Sequence, residues 1–79
     1  MKIEINKYIV ADSEICNGKP TFKGTRIMVW QVLDMIRAGA SVKEILEAFP
    51  SLSPILIKAA LRYAVDITRG HNAIVSLDS

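Results

Sequence analysis

From Met28 to Gly70 the apolar residues recur at helical spacing, and glycine, serine and proline cut the run into three short pieces. Val29, Val32, Leu33 and Ile36 fall at 0, 3, 4 and 7, the stripe of an amphipathic helix, and Trp30 and Met35 widen it. Gly39 supplies a stop, so the first helix is predicted over about Met28 to Ala38. Ser41 and Glu44 form a capping box, in which the serine oxygen accepts a first-turn N–H and the glutamate reaches back to the N–H of Ser41. That places a second helix over Val42 to Ala48, with Val42, Ile45, Leu46 and Phe49 as its apolar face and Pro50 just past its end. Ser53 as N-cap and Pro54 at the first helical position start a third helix, which runs to about Arg69 and stops at Gly70. Ile57, Ala60, Leu61 and Ala64 form its inner stripe, and Ile55, Lys58, Ala59 and Arg62 are the outward residues near its start.

The first third has a different period. Lys2 to Asn6 alternates apolar and polar residues as a half-buried strand does, and Tyr8-Ile9-Val10 is a second β-favouring run. Asn17-Gly18 signals a two-residue hairpin turn, flanked by Ile15-Cys16 and by Lys19 to Phe22, because both residues tolerate positive φ. Pro20 lacks an N–H and confines its strand to an edge. Lys23-Gly24 marks a further turn. The expected fold is mainly α with a small N-terminal β ribbon, its three helices forming a helix-turn-helix of winged-helix-like or homeodomain-like type. One domain is expected over residues 1–79, with the ribbon in 1–27, the helices in 28–69 and a tail in 70–79.

Composition removes several function classes. Hydrophobic residues make up 51% of the chain and charged residues 23%, enough apolar material for a core and too little charge for a disordered tail. No apolar run is long enough to span a bilayer, and the alternating N-terminus lacks the apolar core of a signal peptide, so a cytoplasmic location without membrane partners is expected. One cysteine, Cys16, allows neither an intramolecular disulfide framework nor a multi-cysteine zinc site. Cys16 reads as a small strand residue and His71, beyond the last helix, as a surface histidine. Glu44 is used in its cap and Glu47 reads as solvated, so the two do not make an acid–base pair. Gly18 and Gly24 are not followed by the Gly-Lys-Ser or Gly-Lys-Thr that opens a phosphate-binding loop. No catalytic residue, metal site or cofactor is expected, and an enzyme is disfavoured.

A small binding module remains. The net charge of +2 is only mildly basic, but its distribution is uneven: residues 1–27 carry five basic and three acidic groups, and residues 28–79 carry five of each. As a recognition helix, the third helix would present Lys58 and Arg62 to duplex DNA, with Ser51, Ser53 and the N–H groups of its first turn available to a phosphate. Lys19, Lys23 and Arg26 would grip the DNA backbone from the ribbon. The same residues also read structurally. Lys58, Arg62 and Arg69 can be a solvated helix face, Arg62 can pair with Asp66 at i,i+4, and lysines on a strand edge discourage edge pairing. Trp30 reads as a core or interface anchor. A protein partner would use Trp30, Ile55 and Ala59, together with Ile74, Val75 and Leu77 of the tail.

The run Ile15-Cys16-Asn17-Gly18-Lys19-Pro20, followed by Phe22-Lys23-Gly24-Thr25-Arg26-Ile27, resembles the I-x-G-G-K-P-x-I-x-G-T-R-I signature of a small prokaryotic family, the domain of unknown function 433. Gly39-Ala40-Ser41, Glu44-Ile45-Leu46, Phe49-Pro50-Ser51-Leu52 and Ala59 to Ala64 are similar to the rest of its pattern. The resemblance covers about residues 8–66. Met28 stands where the family commonly has proline, and Asn17 where it commonly has glycine. That family resembles VapB-like antitoxins, whose partners resemble PIN-domain ribonuclease toxins. The resemblance implies a strand-rich N-terminus joined to a helix-turn-helix, a homodimer, DNA binding at its own promoter and neutralisation of a PIN-like ribonuclease toxin. The expected function is therefore the antitoxin of a type II toxin–antitoxin system. The alternatives are a protein-interaction module and a transcription regulator without a toxin.

Overall fold

The computed structural model describes residues 1–71 and places a small antiparallel sheet ahead of three helices. The sheet order is β1 (Lys2–Glu4), β2 (Ile9–Asp12), β3 (Pro20–Phe22), and the helices are α1 (Val29–Arg37), α2 (Val42–Ala48) and α3 (Pro54–Asp66). Ile3 lies opposite Ala11, and Ile9 opposite Phe22. Pro20 sits on an outer strand, as its missing N–H requires.

Ile9 and Phe22 point from the sheet into the core, where α1 contributes Val29 and Val32, α2 Ile45, and α3 Ile57 and Ala60. Leu52 closes the cluster from the α2–α3 connection. Ala60 is fully buried and brings no bulk of its own, which lets the backbone of α3 lie close to its neighbours. Thr21 is buried too, and its hydroxyl donates to the carbonyl of Val10 at 3.4 Å.

The helix boundaries follow the punctuation. Gly39 ends α1 at φ +94°, a conformation that disfavours residues with a side chain. At the start of α2, Ser41 Oγ accepts the N–H of Glu44 at 3.1 Å while Glu44 Oε1 accepts the N–H of Ser41 at 2.8 Å. Ser53 occupies the N-cap of α3 in extended backbone, but its side chain accepts no capping bond. The helix ends at Asp66, earlier than its spacing predicts, and a wider turn, Ile67–His71, follows. The Thr68 hydroxyl donates back to the carbonyls of Ala64 and Val65, drawing on acceptors near the end of α3.

Four expectations are corrected. Asn17-Gly18 is not a hairpin turn, and Ile15-Cys16 is not a strand. β3 instead pairs with Ile9–Asp12 across a longer loop, in which Cys16 and Asn17 form a left-handed turn closed by the Gly18 N–H donating to the Ile15 carbonyl at 3.0 Å. Cys16, Asn17 and Gly18 all have positive φ, at 51°, 58° and 82°, so the tolerance for positive φ is used, one residue earlier than expected and within a loop instead of a hairpin. Leu61, placed on the inner stripe of α3, is 42% exposed, and Val42, placed on the apolar face of α2, is 49% exposed. A core this small is filled before every apolar position of a helix reaches it.

Hydrogen bonds from Ser41, first the backbone one and then that of its side chain, hold the Glu44 carboxyl below its ordinary pKa. A lowered folded-state value means that this stabilisation is complete above the unfolded value and is lost as pH falls through the folded one. Glu44→Ala is expected to lower stability at neutral pH, and the gap from wild type should close as the pH drops through the acidic range. Thermal unfolding of both proteins across a pH series measures it.

Candidate nucleic-acid interface

Ile55, Lys58, Ala59, Arg62 and Asp66 share one face of α3, linked by three- and four-residue spacings such as Ile55–Ala59 and Lys58–Arg62–Asp66, and all line one side of a cleft of about 390 Å³. Asn6, Lys7 and Tyr8, from the β1–β2 turn, line the other side. The turn is held by Asn6, whose Oδ1 accepts the N–H groups of Tyr8 and Ile9 at 2.8 and 3.0 Å. The Lys7 ammonium lies 5.5 Å from the centroid of the Tyr8 ring.

Three cations and one carboxylate therefore share the cleft. Arg62 Nε donates to Asp66 Oδ1 at 3.2 Å with the arginine side chain 77% exposed, so the pair is solvated and weakly held. Lys58 is exposed. An exposed cationic cleft of this kind can receive a phosphate or another anion, while Tyr8 and Ile55 offer apolar surface beside it.

The expected site residues are divided by the fold. Lys58 and Arg62 come together and gain Lys7, which no sequence signal singled out. Ser51 and Ser53 are exposed at the start of α3, outside the residues that line the cleft. Lys19 lines a different groove, of about 450 Å³, with Pro20, Val29, Trp30, Leu33 and Tyr63. Lys23 is paired with Glu4 at 3.2 Å. Arg26 is exposed in the turn before α1, where its carbonyl accepts the Cys16 thiol at 3.5 Å. Of the residues expected to meet a protein partner, Trp30 is 51% and Ile55 56% exposed. Ala59, expected on the outward face, is corrected: its short side chain is 9% exposed and lies at the wall of the cleft between the longer Ile55, Lys58 and Arg62. Ile74, Val75 and Leu77 lie outside the described residues.

A profile described as "Protein of unknown function (DUF433)" matches residues 9–64. The chain belongs to this family. The DUF433 match takes in β2, β3, α1, α2 and most of α3, including Lys58 and Arg62, and begins after Lys7. The chain is similar to "Uncharacterized protein y4eO" of Sinorhizobium fredii (strain NBRC 101917 / NGR234), with 39% identity over 56 residues that cover 71% of this chain and 25% of that protein. It thus spans about a quarter of the length of the curated relative it matches. No solved structure matches it. Among the described residues no helix is long and apolar enough to cross a membrane.

Asn6→Ala removes the acceptor of two backbone N–H groups in a partly buried turn. It is expected to cost about 1–2 kcal/mol, read by chemical denaturation. Hydrogen exchange at the Tyr8 and Ile9 amides should quicken beyond that of the other β2 amides.

Proposed function

We propose that this DUF433 chain binds duplex DNA as a homodimer and serves as the antitoxin of a type II toxin–antitoxin pair, neutralising a PIN-like ribonuclease toxin and repressing its own promoter. The observation that carries the DNA-binding part is the cleft in which Lys7 faces Lys58 and Arg62 of α3. The toxin part rests on the resemblance to VapB-like antitoxins. In this reading α2, the five residues 49–53 and α3 act as a helix-turn-helix, with α3 as the recognition helix. Lys7 supplies a backbone contact from the β1–β2 turn, as a wing does beside a recognition helix. A monomer offers few cations, and two-fold symmetry doubles them.

Electrophoretic shift of duplex DNA from upstream of the coding region, titrated with salt, tests the site. Lys7→Ala, Lys58→Ala and Arg62→Ala are each expected to weaken binding at low salt and to lower the slope of log affinity against log salt by about 0.9 for each phosphate no longer neutralised. Asp66→Asn, which removes the competing carboxylate, should tighten binding. Binding that ignores all four substitutions would overturn this interface.

A second reading, a protein-interaction module, is favoured by the groove beside Trp30, whose lining is almost wholly apolar. Here Trp30→Ala should abolish capture of the toxin by the purified chain and leave the DNA shift unchanged. Loss of DNA binding in Trp30→Ala, with the fold intact by circular dichroism, would argue against a separate protein-binding groove.

A further inference from the structure

The two outer strands of the sheet are finished differently. Beyond β3, the Phe22 N–H donates to the carbonyl of Ile27 at 3.0 Å and Thr21 bridges Met28, so that edge is occupied. Beyond β1 no strand pairs among the described residues. The Ser13 N–H donates to the Met1 carbonyl, and the Ile5 N–H to the Ile9 carbonyl. In an antiparallel ladder alternate residues face the partner, so Met1, Ile3 and Ile5 turn their backbone groups to β2. The N–H and C=O groups of Lys2 and Glu4 therefore point away from the sheet.

We propose that β1 pairs antiparallel with β1 of a second copy, about a two-fold axis at Ile3. This register sets Lys2 opposite Glu4 of the other copy and, by symmetry, Glu4 opposite its Lys2. The outward backbone groups of Lys2 and Glu4 are those needed for a hydrogen-bonded pair, so four backbone bonds form along with two opposite-charge contacts. Ile3, 59% exposed in the single chain, meets its symmetry mate at the axis, where side chains of a non-hydrogen-bonded pair approach most closely. Parallel pairing in register would set lysine against lysine and glutamate against glutamate. The edge thus selects both its partner and its direction. Lys2 also lies opposite Asp12 within the chain, and Glu4 is bridged to Lys23, so each charge keeps its internal partner across the joined sheet. The place of this dimer in the function rests on the DNA-binding reading, while the edge itself does not.

Sedimentation equilibrium of the full chain over a wide concentration range tests the pairing. Wild type is expected to be in monomer–dimer exchange. Lys2→Glu and Glu4→Lys, each of which creates two like-charge contacts, should raise the dissociation constant about tenfold or more. The double variant Lys2→Glu/Glu4→Lys restores opposite charges between the copies and should recover most of the affinity that either single variant loses, although its reversed charges now face Asp12 and Lys23 within the chain. Lys23→Ala should dimerise as wild type does. A wild type that is monomeric throughout, single variants that associate as tightly as wild type, or a double variant that fails to recover would each overturn the proposal. A monomeric wild type that still shifts DNA removes the edge pairing and keeps the DNA-binding reading. A dimer sensitive to these charges that ignores DNA does the reverse.

Discussion

The burial of Ile9 and Phe22 against the helices is the constraint on which the rest depends. A three-stranded sheet with strands of three or four residues has little stability alone. Its inner face is completed by Val29 and Val32 of α1 and Ala60 of α3. That contact sets where α3 runs, and so where Lys58 and Arg62 stand. It also brings the β1–β2 turn against α3, because Ile9, fully buried in the core, follows directly on Asn6-Lys7-Tyr8. The cationic cleft is thus a consequence of core packing.

The helical part was legible because its signals are local. Spacing of apolar residues, Gly39, the Ser41–Glu44 box and Pro54 each act within a few residues of where they stand, and α1 and α2 emerge within a residue or so of their expected limits. The sheet was less legible, because strand pairing is decided by partners far along the chain. Asn17-Gly18 carries a true preference for positive φ, but the pairing of Ile9 with Phe22 determines which residues become strand. The cleft was half legible. Lys58 and Arg62 are neighbours on one helix face by arithmetic. Lys7 reaches them through the tertiary fold, and no pattern in the first ten residues announces it. Ala59 shows the converse: helical phase puts it beside Lys58, and only the tertiary structure reveals that its short side chain is nearly buried at the wall of the cleft.

Charge is dispersed over the described residues, and the ion pairs among them are exposed. Lys23 with Glu4, Arg37 with Asp34, and Arg62 with Asp66 are all solvated bridges. Such pairs add little to stability and exchange partners easily. Arg62 can therefore leave Asp66 for a stronger anion at small cost. A lysine with no paired carboxylate among the described residues, such as Lys58, has even less to give up. The three cations around the cleft are better suited to transient contact with a polyanion than to holding the fold together.

Trp30 is the chain's single tryptophan, and its indole N–H donates to the sulfur of Met28 at 3.2 Å while half of the side chain remains in water. The ring stands at the rim of the apolar groove with Pro20, Leu33 and Tyr63. Any molecule settling there would strip water from the indole and shift its emission to the blue. The protein therefore carries its one tryptophan at the mouth of the apolar groove, while the cationic cleft holds Tyr8 and no tryptophan, so occupancy of the groove can be followed by indole emission without a label.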